Sequence, residues 1–224
     1  MSFCIELFCV VTLQYQILVR IAIAYFIIEK KESCATALAG HRAAILFNLN
    51  FTRCIFMIIT LETRTADSVR TYFEKANRPE IKQVLPQKAK TVEEALADYE
   101  ETLLPNATSF GQTVYVDGKY VGDVWCYCID MDDEPNCMLS FCIFELEYWS
   151  KGIATSAVNM FIKNVCERYN VKTIGAFTFA HNNASIRVLE KNGFVVIEEF
   201  EEDGVLSKYL QYEKHQVPVP GKKV

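Results

Sequence analysis

The chain has 224 residues, 51% of them hydrophobic, with 23 basic and 28 acidic side chains. A net charge of −5 proposes no nucleic acid as a partner, and the length suits one ordinary domain plus an extension. Nine cysteines without paired spacing and three scattered histidines argue against a disulfide framework or a zinc site, so the expectation is reduced thiols in a cytoplasmic protein without metal.

Residues 1–56 differ from the rest. They are rich in Ile, Leu, Phe, Cys and Val, with no sustained helical or alternating period. Residues 7–28 could cross a bilayer by length, but Gln14, Gln16 and Arg20 interrupt them, and a central arginine costs about 2.5–3.5 kcal/mol on insertion. Residues 43–61 share that weakness at Asn48, Asn50 and Arg53, and Glu6 stands where a signal peptide wants basic residues. Three readings stay open: a weak membrane anchor, a hydrophobic arm that packs on a partner, or sequence upstream of a natural start at Met57. This segment holds five basic and three acidic residues, which leaves −7 on the remainder.

From residue 57 the expected elements follow one another closely. Residues 58–63 read as a strand and 67–77 as a helix, with 79–90 as a loop. Thr91-Val92-Glu93-Glu94 is a capping box that opens a helix to about Leu104, with Ala95, Leu96, Tyr99 and Leu103 as its apolar stripe. Strands 113–116 and 120–129 flank Asp117-Gly118, a strong hairpin signal, and alternation within the second sets Cys126 and Cys128 on one face. Residues 130–136 form a turn and 138–144 a strand. A helix over 152–169 buries Val158, Phe161, Ile162 and Val165. Then come a strand over 173–180, a helix over 183–192 ended by Gly193, and strands 194–199 and 206–212 around Asp203-Gly204. The order β-α-α-β-β-β-α-β-α-β-β predicts a mixed α/β sheet, followed by a solvated tail over 215–224.

The most informative stretch is Tyr148-Trp149-Ser150-Lys151-Gly152-Ile153-Ala154-Thr155. A strand, a tight turn of small residues and a helix from near Gly152 would aim several backbone N–H groups at one spot, a setting that favours phosphate. Gly152 and Ala154 leave room for close approach. No P-loop lysine follows and no second glycine pair of dinucleotide type appears, so neither of those phosphate motifs fits.

Thirty residues on, Asn182-Asn183-Ala184-Ser185-Ile186-Arg187-Val188-Leu189-Glu190-Lys191-Asn192-Gly193-Phe194 resembles the N-x-x-S-x-x-x-L-E-K-x-G-F signature of GNAT-superfamily N-acetyltransferases. The earlier stretch is similar to that superfamily's pyrophosphate loop, Q/R-x-x-G-x-G/A, with Trp149 first, Gly152 fourth and Ala154 sixth. Both motifs in this order make the resemblance specific, and it covers residues 57–214. Within the superfamily the chain looks like the branch that acetylates ribosomal-protein N-termini, the ribosomal-protein-alanine acetyltransferases among them.

The resemblance implies a GNAT fold: a mixed central sheet, splayed between its two middle strands, with helices on both faces. It implies transfer of an acetyl group from acetyl-CoA to a primary amine, a protein N-terminus or a small molecule, by direct attack in a ternary complex. An idle CoA-binding or regulatory module is the alternative. Backbone groups of Trp149, Ser150, Lys151, Gly152, Ile153, Ala154 and Thr155 would hold the diphosphate. Those of Phe141, Ile143 and Phe144 would receive pantetheine. Asn182 would meet the pantetheine arm or cap its own helix, and Ser185 would stand near the sulfur as general acid. Residues 79–90 would wall the acceptor site. Leu189 occupies the place of a tyrosine that many GNAT enzymes use as that acid, and Leu139 and Ser156 replace two glutamates. Glu145 and Glu147 are expected on a turn facing solvent, so no base is assigned.

Overall fold

The computed structural model describes residues 57–85, 88–202 and 204–214; the expectations for 1–56 and 215–224 lie outside them. Strand β1 (Ile59–Thr63) pairs antiparallel with β2 (Phe110–Val116), β2 with β3 (Lys119–Asp130), and β3 with β4 (Asn136–Ile143). Asp117 and Gly118 join β2 to β3 with φ of 51° and 78°, the left-handed pair that matches a two-residue hairpin to the twist of its strands. The sheet continues through β5 (Thr173–Phe179), β6 (Val195–Glu202) and β7 (Val205–Glu213), in the order β1-β2-β3-β4-β5-β7-β6. Every neighbouring pair is antiparallel except β4 and β5. This is the mixed α/β architecture read from the sequence.

Two differences follow from local geometry. The expected loop over 79–90 opens with a helical turn, because Pro79 presets φ at its first position and Ile81 is fully buried. Cys128 takes φ 51° at a β-bulge between Tyr127 and Asp130, so it is exposed while Cys126 is buried; strict alternation had put both on one face.

Helices α1 (Ala66–Ala76), α2 (Pro79–Lys82) and α3 (Val92–Glu101) lie between β1 and β2. Thr65 and Ser68 close a capping box on α1. On α3 the box is half made: Thr91 Oγ1 accepts from the Glu94 N–H at 3.2 Å, whereas the Glu94 carboxylate accepts from the Lys90 N–H at 2.6 Å. None of its residues is fully buried, and Leu103 lies beyond its end, exposed. The expected stripe is therefore a half-covered one, held partly by the Tyr99 hydroxyl donating to Arg64 O at 3.0 Å.

Helix α4 (Ile153–Tyr169) follows β4, and α5 (Asn183–Lys191) follows β5. Ala157, Val158, Phe161, Ile162 and Val165 bury one side of α4 against Val124, Cys126, Leu139, Ile174 and Leu210 of the sheet. Each large side chain so buried contributes about 1.5–3 kcal/mol. On the other face of the sheet, Ala76 and Ile81 pack with Cys142 and Phe144. Helices thus cover both faces, as expected.

Candidate acyl-carrier site

Strands β4 and β5 run parallel but pair only at Asn136–Thr173, Cys137–Ile174 and Met138–Gly175. Beyond those residues β4 stays on β3 as far as Ile143, and β5 stays on β7 as far as Phe179. A gap therefore opens between the middle strands toward their carboxyl ends. The Phe144 N–H donates to Val121 O at 3.0 Å, on the β3 side. The two-residue period of a strand then turns the main-chain groups of Phe141 and Ile143 the other way, into the gap.

Phe144 behaves differently from those two. Its ring is fully buried, its amide is taken by Val121, and its carbonyl accepts from the Arg78 guanidinium at 2.5 Å. The Ile143 carbonyl accepts from Trp149 Nε1 at 2.7 Å, which leaves the Ile143 amide facing the gap. Arg78 is 66 residues from the carbonyl it holds, so no local pattern in the sequence marks that lock.

A short 3-10 turn, Leu146–Tyr148, carries the chain from β4 to α4. Ser150 and Gly152 adopt φ of 59° and 80°, and Gly152 is the N-cap of α4 with no side chain capping it. The first bond inside the helix runs from the Ser156 N–H to Gly152 O at 3.0 Å. The amides of Ile153, Ala154 and Thr155 precede it and lack a helical acceptor. A Cβ built on Gly152 would meet no atom within 4 Å, so the space before the helix is open. The Lys151 ammonium lies 5.6 Å from the Tyr148 ring centre, and Trp149 is 42% exposed.

The other parallel strand feeds a second helix start. Asn182 Oδ1 accepts from the Ser185 N–H at 3.1 Å and caps α5, so Asn182 has its Nδ2 donor left to offer a ligand. Ser185 is half-buried in the first turn. Asn192 Nδ2 donates to Thr155 O at 3.2 Å and to Val188 O at 2.8 Å, tying the end of α5 to the start of α4. Two helix starts thus stand at the carboxyl ends of two parting parallel strands, the place where open α/β sheets bind ligands. An uncapped helix start, an open approach and inward-facing strand amides fit the diphosphate and the amide-bearing arm of coenzyme A.

Among the described residues no carboxylate is placed there as a base. Leu139 is 2% exposed, within the core under α4, and Leu189 is buried as well. Ser156 is exposed on the surface of α4. Glu145 corrects the expectation of a solvent-facing side chain: it is partly buried among Lys75 at 2.8 Å, Lys119 at 3.6 Å and Arg78 at 3.7 Å. The Lys75 hydrogen bond, with the other cations, holds its carboxyl below the usual range and makes it a poor base. Glu147 is exposed and paired with Lys119 at 2.7 Å. Asp123 on β3 is fully buried, bonded to the Tyr120 hydroxyl and 3.0 Å from Arg64. Burial outweighs those partners and pushes its carboxyl up to about 6. Among the described residues no cluster suits a metal ion, and no helix is long and apolar enough to cross a membrane.

Comparison with known proteins agrees with this geometry. A sequence model of the acetyltransferase (GNAT) domain matches residues 59–195. No curated protein sequence matches the chain. Among solved structures, the aminoglycoside acetyltransferase AAC(6')-Ib with coenzyme A and kanamycin aligns at TM-score 0.60 and 17% identity, over 70% of this chain and 95% of its own. The spermidine N-acetyltransferase from Vibrio cholerae, with CoA and spermine, aligns at 0.61 and 17%, over 69% and 95%. RimJ from Mycobacterium smegmatis aligns at 0.61 and 15%, over 72% and 84%. A family match over most of the described residues and a sheet that parts beside an uncapped helix start lead to one conclusion: the chain belongs to the GNAT acetyltransferase family.

Proposed function

We propose that the domain transfers an acetyl group from acetyl-CoA to a primary amine, with both substrates bound together. The observation that carries this reading is the early end of β4–β5 pairing, at Met138–Gly175, beside the open start of α4. The amides of Ile153, Ala154 and Thr155, with the backbone of Ser150 and Lys151, would bind the diphosphate, since anions gain charge-assisted hydrogen bonds at a helix start. The Phe141 and Ile143 amides would hold the pantetheine arm, and one of them would polarise the thioester oxygen. Asn182 Nδ2 would donate to an arm carbonyl.

In the step itself the amine nitrogen bonds to the acetyl carbon as the carbon–sulfur bond breaks. The Ser185 hydroxyl would supply the proton for the departing thiolate, the amine would lose its own proton to water, and water would return a proton to Ser185. Attack by the minor neutral form of the amine needs no side-chain base, provided the site holds the reactants in line. That accords with Glu145 being locked among three cations.

The test is calorimetry with acetyl-CoA followed by a thiol-release assay across primary amines. Saturable binding and amine-dependent release are expected; no binding would end the proposal. The buried Leu189, in place of an acid, favours a second reading, an idle CoA-binding module. Binding without release on any amine would select it. Whether the protein is cytoplasmic, and whether residues 1–56 attach it to a membrane, is decided by fractionating cells that express the full chain; a soluble product is expected.

A further inference from the structure

The face of the gap opposite α4 has a composition of its own. Ile174 and Ala176 of β5 point into the core beneath α4 and α5, so Gly175 and Phe177 point to the other face. There a Cβ on Gly175 would lie 2.6 Å from Met138 Sδ and 2.8 Å from Tyr209 Oη, which places those two side chains together over the point where the strands part. Phe177 is the next residue on that face. It is 55% exposed, 5.1 Å from the Tyr209 ring and 5.7 Å from Phe200, edge-on to the latter at 83°. Across the gap, Ser140 is paired with Trp125, whose indole meets Tyr72 edge-on at 5.9 Å. One side of the opening is thus a shelf of three rings and the other the indole of Trp125 backed by Tyr72.

The rings themselves carry no charge. Trp125, Met138, Ser140, Gly175, Phe177 and Tyr209 are all neutral. The sheet's described carboxylates on this face stand off the rings: Asp123 is buried against Arg64, Glu198 lies beside Tyr209 away from the gap, Glu62 is on the far strand β1, Glu213 is level with Thr173 below the closed end of the gap, and Glu134 lines the cleft beside Gly175 and Tyr209. A polycation's further ammonium groups would have to reach past the rings to Glu134 or Glu213 for partners, and desolvating them unpaired over the rings is costly. An exposed aromatic shelf bordering a reactive gap suits one amine carried on an apolar ring, which offset or edge-to-face stacking would orient.

We infer that the acceptor is a primary monoamine borne on an aromatic group, seated on Phe177, Tyr209 and Phe200. The assignment rests on the transferase reading above and narrows it. A free arylalkylamine and a peptide whose first residue is aromatic offer the same chemistry, and the two are compared directly.

The experiment measures thiol release by the full chain with 2-phenylethylamine, a short peptide beginning with Phe, ethylamine and spermidine, for the natural protein and for Phe177→Ala. One or both ring-bearing amines should exceed ethylamine and spermidine in kcat/KM by about tenfold or more, the range of a well-placed aromatic contact. Phe177→Ala should erase that preference through KM while leaving the ethylamine rate and acetyl-CoA affinity unchanged. The exposure of Phe177 makes the substitution tolerable for folding, and circular dichroism checks it. Preference for spermidine or ethylamine, or a Phe177→Ala protein that loses activity on every amine alike, overturns the assignment and leaves the transferase reading standing. Binding of acetyl-CoA with release to none of the amines overturns both.

Discussion

Trp149 Nε1 donates to the carbonyl of Ile143 at 2.7 Å, so the residue that opens the helix-start loop is fastened to the strand end beside the gap. The bond does two things. It satisfies a carbonyl that β5 has ceased to cover, and it fixes the position of Ser150 to Gly152 relative to the inward-facing amides of β4. Trp149→Phe keeps most of the ring and loses the donor. Losing one neutral hydrogen bond costs about 1 kcal/mol, so acetyl-CoA affinity should fall about fivefold by calorimetry, with a small drop in melting temperature. Unchanged affinity would show that the loop needs no such anchor.

The loop contains two left-handed residues that respond in opposite ways. Ser150 sits at φ 59° with a Cβ, a strain of roughly 1 kcal/mol that Ser150→Gly would remove. Gly152 sits at φ 80° with open space before it, so Gly152→Val gains strain of similar size without a clash inside the protein. The added side chain would stand where the diphosphate is proposed to bind. Ser150→Gly should raise the denaturation midpoint modestly. Gly152→Val should lower it by a comparable amount and abolish measurable acetyl-CoA binding; retained binding there counts against the phosphate role.

How far the fold could be read in advance depends on the range of each signal. Asp117-Gly118 forces a hairpin through its own backbone angles, and Val158, Phe161, Ile162 and Val165 mark a helix face by spacing alone, so both were legible. What depended on distant partners was not. Glu145 looks like a turn residue until Lys75, 70 positions earlier, and Lys119 close around it. Phe144 looks like one more strand residue beside Phe141, but Arg78 and Val121 have taken its backbone groups. The sequence also could not say that Gly175 brings Met138 and Tyr209 together, because strand neighbours are set by pairing and not by order.

Ser185 and Asn182 can be separated by what they are asked to do. Asn182 caps α5 through the Ser185 amide, and Asn182→Ala should cost about 1 kcal/mol of stability for the lost cap, with weaker acetyl-CoA binding besides. The Ser185 hydroxyl takes no part in that cap. Ser185→Ala should leave stability and acetyl-CoA affinity near their natural values while lowering kcat about 100-fold, the usual scale for losing a general acid. A kcat unchanged under single-turnover conditions would remove Ser185 from the chemistry and point to water as the proton source.

Asp123 makes stability depend on pH in the reverse of the usual carboxylate sense. Burial raises its folded-state pKa to about 6, above the ordinary value of 3.8, despite Arg64 and Tyr120. Between those limits the folded protein holds a proton that the unfolded chain has released. Stability from this group is therefore full below about pH 4, declines as pH rises toward 6, and is level above that. Other carboxylates, Glu145 among them, pull the opposite way, so the comparison must be with Asp123→Asn and not with the raw curve. The difference in melting temperature, natural protein minus Asp123→Asn, should shrink as pH is raised from 4 to 6 and stay flat to pH 8. A difference that grows across that interval would mean the ion pair with Arg64 outweighs burial and holds the carboxyl below its ordinary range.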